Sequence, residues 1–524
     1  MVNKNFSEIV EDIRLADENA INHKEEEPLI LQNKEQYKEN NPDKSLLTDF
    51  IPEKNEIKSN TEIKKEAKNE IKEKEEKEEE KEEVNEGQKN EIKIETKEEK
   101  KEKAKKKKNR HKKNKKEKKD KIFEIPKTNP YRDLFDFKEV SKLRFQDNSI
   151  FRVINNWEEK EWLQTTPPTK DIDELFPNQI FPQGEIQPYS SSIWRSTDKE
   201  KIEMEKKMNF EIESFRKGAE CHRQIRKYTQ SIIRPDQKLL DICVKIENML
   251  KFITNKNGIL SGQSFPTGMS LNNCAAHYSP NAGDDTILTK DDVLKLDFGT
   301  HFNGYVIDTA FTIAFDPKYD NLLKASKEAT NTGIKLAGID MRLCEIGEGI
   351  DEVISSYEIE LDGKTKPIKP IKNLCGHTVG KYKVHAGKSV PSYNNGDNTK
   401  MEENEFYAIE TFASTGKGKV ERDMHVSHYM LNDVYDVKDI TGNKNRQFYN
   451  FIYENFNTLA WCKRWIEQLG FGSYYQPLRQ LINQDVVEEC PALYDVEGSF
   501  TSQFEHTFML KPTGKEIFTV GDDY

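Results

Sequence analysis

A chain of 524 residues could hold two to four domains, but 34% of it is hydrophobic and 33% charged, too polar for one continuous core. Its net charge of −11 hides a blocked distribution and excludes no class of partner. No run approaches the roughly 18 apolar residues of a membrane span, and "MVNKNFSEIVEDIRL" lacks the apolar stretch of a secretory signal, so a cytoplasmic protein is expected. The seven cysteines are scattered and never form a Cys-x-x-Cys pair, a pattern of free thiols in a reducing compartment.

Residues 1–125 are a Lys/Glu-rich tail with few aromatics, and 62–121 are little more than Lys, Glu and Asn. Such a segment cannot bury enough apolar surface to offset chain entropy, so disorder is expected. Its charge is blocked: "EKEEKEEEKEEVNEG" is acidic, and "KKEKAKKKKNRHKKNKKEKKDK", from Lys100, is strongly basic. A solvated tether and a polyanion contact both fit. The second would bind RNA phosphates without sequence preference and with strong salt dependence, and the basic block also has the form of a nuclear-localisation patch.

Residues 126–197, rich in Pro and turn formers, predict an extended arm lying on a folded domain over 198–524. Helical spacing over 198–256 predicts two amphipathic helices broken at "RPDQ". Strands and tight turns follow from Phe265 to Phe315, then helices in "YDNLLKASKEATNTGIKLAG" and "RLCEIGEGIDEVISSYE", and short strands after Lys364. A helical patch, "NFIYENFNTLAWCKRWIEQLG", precedes a last strand, "SQFEHTFMLKP". Helices followed by strands, in two rounds, predict an α+β domain.

Within "LKLDFGTHFNGYVIDTAFTIAF" the Asn303-Gly304 pair predicts a two-residue hairpin turn. With the turn centred there, Asp297 lies diagonal to Asp308; one residue looser, they sit opposite. Either register converges the two carboxylates on one face, roughly 5–8 Å apart at Cβ. Ionised carboxylates crowded by Phe298, Val306, Ile307, Ala310 and Phe311 repel unless a cation lies between them. Glu410 in "EFYAIETFAS" and Glu505 in "SQFEHTFML" intrude likewise into apolar strands, and His377 stands in "LCGHTVG". Four carboxylates and an imidazole match a two-metal site, which activates water and polarises a carbonyl. His277 in "NNCAAHYSP" and His385 in "YKVHAGKSVP" are left over to bind substrate or move protons.

The strings "FPTGMSLNNCAAHYSPNAGDDTIL", "KLDFGTHFNGYVIDTAFT", "GHTVGKYKVHAGKSVP", "YAIETFASTGKG" and "FEHTFML" resemble those of the methionine aminopeptidases, in particular the type 2, eukaryotic-like branch. The similarity runs through most of 165–524. It implies a pita-bread (creatinase/aminopeptidase-like) fold with a helical insertion at 427–490, and two divalent ions, whether cobalt, manganese, zinc or iron(II). By resemblance, Asp297 chelates one metal, His377 and Glu410 bind the other, and Asp308 and Glu505 bridge. His277 and Glu410 are assigned to catalysis, and His277, His385, Phe265, His428, Gly376 and Val384 to substrate binding, with His277 also the target of the family's epoxide inhibitors. The implied reaction removes the initiator methionine from nascent chains whose second residue is small. The resemblance further implies a monomer, and a tail that reaches the ribosome or its RNA.

Three positions depart from the family pattern: Cys375 stands where Asn is usual, Val384 where Ile is, and Cys490 where Tyr is. A smaller side chain at 490 is expected to enlarge the methionine pocket, and Cys375 is expected to be a spectator rather than a nucleophile. The rival reading is a metal-free relative of the same fold that binds the ribosome or an initiation factor. All five ligand positions and both histidines stand, which argues against it. "YKVHAGK" and the insertion also fit the methionine branch better than the X-Pro peptidases of this fold.

Overall fold

The computed structural model describes Tyr131, Gln164, Thr165 and residues 167–524. The charged tail and most of the expected arm lie outside the described residues. From Gln164 onward the arm does lie on the domain. Gln164 Nε2 donates to Gln224 Oε1 at 3.0 Å, a capping box between Asp171 and Glu174 opens the short helix α1 (Ile172–Leu175), and β1 (Glu185–Gln187) extends the main sheet.

The stretch read as two helices forms three. α2 (Lys199–Lys207) and α3 (Asn209–Ile232) are separated at Met208, and α4 (Leu239–Ile253) follows the "RPDQ" turn, where Asp236 takes φ 67°. β2 (Ser261–Gln263), β3 (Gly268–Leu271) and β4 (Cys274–Ala276) lead into the hairpin: β5 (Val293–Asp297), β6 (Thr300–Phe302), β7 (Tyr305–Ile307) and β8 (Ala310–Ala314). Its turn is the expected one, with Asn303 at φ 54° and Gly304 at φ 84°, left-handed values that Asn and Gly tolerate best. β6 pairs with β7 and β5 with β8 in a single register, Thr300 opposite Ile307 and Asp297 opposite Ala310.

The two helices expected next are α5 (Asp320–Leu336) and α6 (Leu343–Ser355). Then come the hairpin β9 (Glu358–Leu361) and β10 (Lys364–Pro367), and the strands β11 (Lys369–Pro370), β12 (Cys375–Thr378), β13 (Ser389–Pro391) and β14 (Phe406–Ser414). The segment expected as a helical insertion begins and ends in strand: β15 (Glu421–Leu431) pairs with β16 (Val487–Tyr494), and α7 (Asn443–Phe456), α8 (Lys463–Gln468) and α9 (Tyr475–Asn483) lie between them. These helices enclose their own core of Phe448, Ile452, Trp461, Trp465 and Leu478. β17 (Thr501–Leu510) and β18 (Lys515–Ile517) close the chain.

The main sheet runs β1-β18-β17-β14-β12-β13, antiparallel throughout, with β11 also on β14. α5 packs against β14 and β17, and α3 against β6 and β7. The arrangement is the expected α+β class: antiparallel sheets in the centre with helices outside. All seven cysteines are free. Among the described residues no helix is long and apolar enough to cross a membrane.

Candidate active site

The shared register of the hairpin puts Asp308 opposite Gly299 and therefore diagonal to Asp297, the first of the two arrangements the turn allows. The other three residues arrive on the main sheet. Glu410 of β14 and Glu505 of β17 are direct cross-strand partners, and His377 of β12 pairs with Ala408, two residues from Glu410. Cross-strand neighbours on one face must converge.

β17 also anchors the hairpin. The Asp308 N–H donates to Thr507 Oγ1 at 2.9 Å, the Thr507 hydroxyl donates to Asp308 O at 2.5 Å, and the Thr312 hydroxyl donates to Gln503 O at 2.7 Å. Ligand atoms of Asp308, His377 and Glu505 thereby come within 4.8 Å of one another, as do those of Asp297, Glu410 and Glu505. Glu505 belongs to both groups. His377 Nε2 and Asp308 Oδ2 are 3.6 Å apart, too far for a hydrogen bond.

Without a cation this cluster is badly solvated. Asp297 Oδ1 and both carboxylate oxygens of Glu505 are buried and accept no hydrogen bond from any described residue. Orphaned anionic acceptors of this kind call for a positive partner. Burial pushes the Asp297 carboxyl up to about 7, and burial with the charge of Asp297 pushes Glu410 up to about 8. Asp308 and Glu505 are raised well above the usual range by burial and by their carboxylate neighbours. His377 is pushed in the opposite direction, towards the neutral imidazole that ligates metals, mainly by burial. The donor set fits divalent cations.

One member of the cluster was not foreseen. Gln503 Nε2 donates to Asp297 Oδ2 at 3.1 Å and to Glu410 Oε2 at 2.9 Å, linking the hairpin to the sheet. Gln503, Glu505 and Thr507 alternate along β17, so the period of two marks the signal that could have found it.

The five residues line a cavity of ≈ 320 Å³ whose walls include Phe265, His277, Val384, His385, His428, Cys375 and Cys490. The His385 ring lies against that of His377, centroids 4.1 Å apart and planes tilted by 46°. Burial and the neighbouring His385 hold His277 down to about 4, so it is neutral at physiological pH. Both ring nitrogens of His428 are engaged: Nε2 donates to Pro266 O at 3.1 Å and Nδ1 lies 2.9 Å from Ser427 Oγ.

Gly376, expected to touch substrate, is not itself among the residues that line the cavity, although both its neighbours are. Between Cys375 and His377, it faces β14, where an added Cβ would lie 2.8 Å from Ala408 O, so the structure gives it a packing role. Gly376→Ala is expected to push β12 off β14 and cost about 1–3 kcal/mol, measured as a lowered urea midpoint, with weakened metal binding because His377 moves too.

Residues 213–434 match metallopeptidase family M24. The Arabidopsis thaliana methionine aminopeptidase 2A is 50% identical over 364 residues, 69% of this chain and 82% of that protein. The chain belongs to the type 2 methionine aminopeptidases. The Schizosaccharomyces pombe methionine aminopeptidase 2 is 47% identical over 362 residues, 69% of this chain and 85% of its own length. The solved methionine aminopeptidase of Thermotoga maritima is 18% identical, aligned over 64% of this chain and 100% of its own, with a TM-score of 0.39. As a type 2 methionine aminopeptidase with the pita-bread fold of its family, the enzyme uses divalent metal to remove the initiator methionine from proteins.

Proposed function

We propose that the aminopeptidase holds two divalent ions between Asp297, Asp308, His377, Glu410 and Glu505, with Glu505 shared. That sharing is the observation that carries the reading: two three-residue groups meet at one carboxylate, as in sites where neighbouring ions use common ligands. By resemblance Asp297 would hold one ion, His377 and Glu410 the other, and Asp308 and Glu505 would serve both, although the ligand atoms of Glu410 lie in the group of Asp297 rather than that of His377. Cobalt, manganese, zinc and iron(II) all suit these donors. When bound, the ions supply a Lewis acid and an activated water.

The chain's own residues do the rest. Phe265, Val384, Cys375 and Cys490 wall the methionine side chain and exclude water. Neutral His277 and His385, at the cavity wall, hydrogen-bond the peptide around the scissile bond, while Glu410 takes a proton from the attacking water. The substrates are nascent chains with a small second residue, cleaved in the cytoplasm by a monomer, and the basic block from Lys100 contacts ribosomal RNA or another polyanion.

The test is hydrolysis of Met-Ala-Ser, Met-Leu-Ser and Ala-Pro peptides, with metal and then with chelator. Only the first should be cut efficiently, and chelator should abolish the cut. Equal cleavage of Met-Leu-Ser would defeat the small-residue rule, and a metal titration saturating at one ion would defeat the dinuclear assignment.

A further inference from the structure

Arg464 of α8 is buried against Glu247 of α4, their side chains 5% and 1% exposed. Its Nη2 donates to Glu247 Oε1 at 2.7 Å, and Trp465 Nε1 donates to Glu247 Oε2 at 3.0 Å, so one carboxylate ties the insertion to the main domain. A buried ion pair is weak grounds for stability, since an apolar pair of similar size often does as well. What an apolar pair could not do is what the rest of the guanidinium does. Nη1 donates to Pro280 O and to Ser279 Oγ, the latter at 3.3 Å.

Those two residues follow closely on His277. On the other side, Ser427 Oγ accepts from the Ser279 N–H at 3.0 Å and lies 2.9 Å from His277 O. His277 itself sits at φ 63°, a left-handed backbone that a non-glycine residue keeps only where its surroundings impose it. The loop carrying the imidazole is thus gripped between β15 and the Arg464–Glu247 pair.

We propose that Arg464 is a positioning residue for His277, through which the insertion sets the imidazole against the substrate. This rests on the reading that His277 contacts the substrate. Lysine at 464 keeps the charge but cannot reach Glu247 and Pro280 together, so the loop would relax while the pocket floor, built on other strands, stays in place.

The experiment uses the full-length, metal-loaded enzyme and compares Arg464→Lys, His277→Ala and the double variant on Met-Ala-Ser. Arg464→Lys should lower kcat by about 10- to 100-fold, the scale of an ångström-level misplacement, with metal stoichiometry unchanged and the His277 ¹⁵N ring resonances shifted. In the His277→Ala background the same change should cost nothing further. A fully multiplicative loss, or an Arg464→Lys enzyme within about twofold of wild type, overturns the positioning role. Should Arg464→Lys not fold, Glu247→Gln, which loosens the guanidinium at constant size, takes its place under the same criteria. A fully active His277→Ala enzyme would instead bring down the substrate-contact reading and the proposal with it.

Discussion

Asp308→Asn should reduce methionine release by on the order of 10³-fold or more, the loss of several kcal/mol of metal-supplied stabilisation, in a protein that remains folded. The two halves of this expectation have different structural origins. The side chain is one of three donors in the group it forms with His377 and Glu505, and an amide is a poor substitute for a carboxylate between cations. The backbone is fixed independently by both hydrogen bonds to Thr507, so the hairpin does not depend on the carboxylate. Asn has the same shape and removes a charge from a cluster in which every carboxyl is pushed up by burial and most also by their neighbours. The metal-free variant should therefore be at least as heat-stable at pH 8 as the metal-free wild type. Metal analysis and thermal unfolding of the two proteins decide it: a normally active Asp308→Asn enzyme refutes the bridging assignment, and an unfolded one refutes the anchoring by Thr507.

The hairpin was legible in sequence because its signal is local. Asn303-Gly304 dictates its own backbone angles, and of the two registers such a turn allows the structure takes the one that sets Asp297 diagonal to Asp308. Each carboxylate could likewise be singled out as an anomaly in an apolar strand. That Glu410 faces Glu505 is a different kind of fact, since β14 and β17 lie on either side of the whole insertion and no periodicity carries information across that gap. The individual metal and substrate roles came from resemblance, not from spacing. Gln503 escaped notice because a glutamine in a strand raises no alarm until its two carboxylate partners are in view. The ends of the insertion were missed because Tyr429, Trp461 and Val487 share one core, so strand and helix residues look alike in composition. The split at Met208 was missed for a similar reason, as α2 and α3 have compatible helical patterns with one residue between them.

Stripping the metal should make the enzyme progressively less stable as pH rises from about 5 to about 8, and excess divalent ion should reverse the trend. The carboxyls of an unfolded chain titrate near 4. In the folded, metal-free protein Asp297 is pushed up to about 7 by burial, Glu410 to about 8 by burial and the charge of Asp297, and Asp308 and Glu505 are raised well above the usual range. Between those limits the folded form holds more protons than the unfolded one, so stability falls as pH increases. The contribution is fully present below about pH 4 and is lost as pH passes through the folded values. Bound cations take the place of the protons, and their affinity must rise over the same interval with proton release. Thermal midpoints measured with chelator and with saturating metal at about pH 5.5 and pH 8 isolate this effect, because groups remote from the cavity shift both curves alike. The stabilisation by metal should be larger at pH 8, and calorimetric titrations in buffers of differing ionisation enthalpy should show protons leaving as metal enters. Equal stabilisation at both pH values would mean that the cluster is already ionised without metal and that other groups offset the burial and mutual repulsion of these four carboxylates.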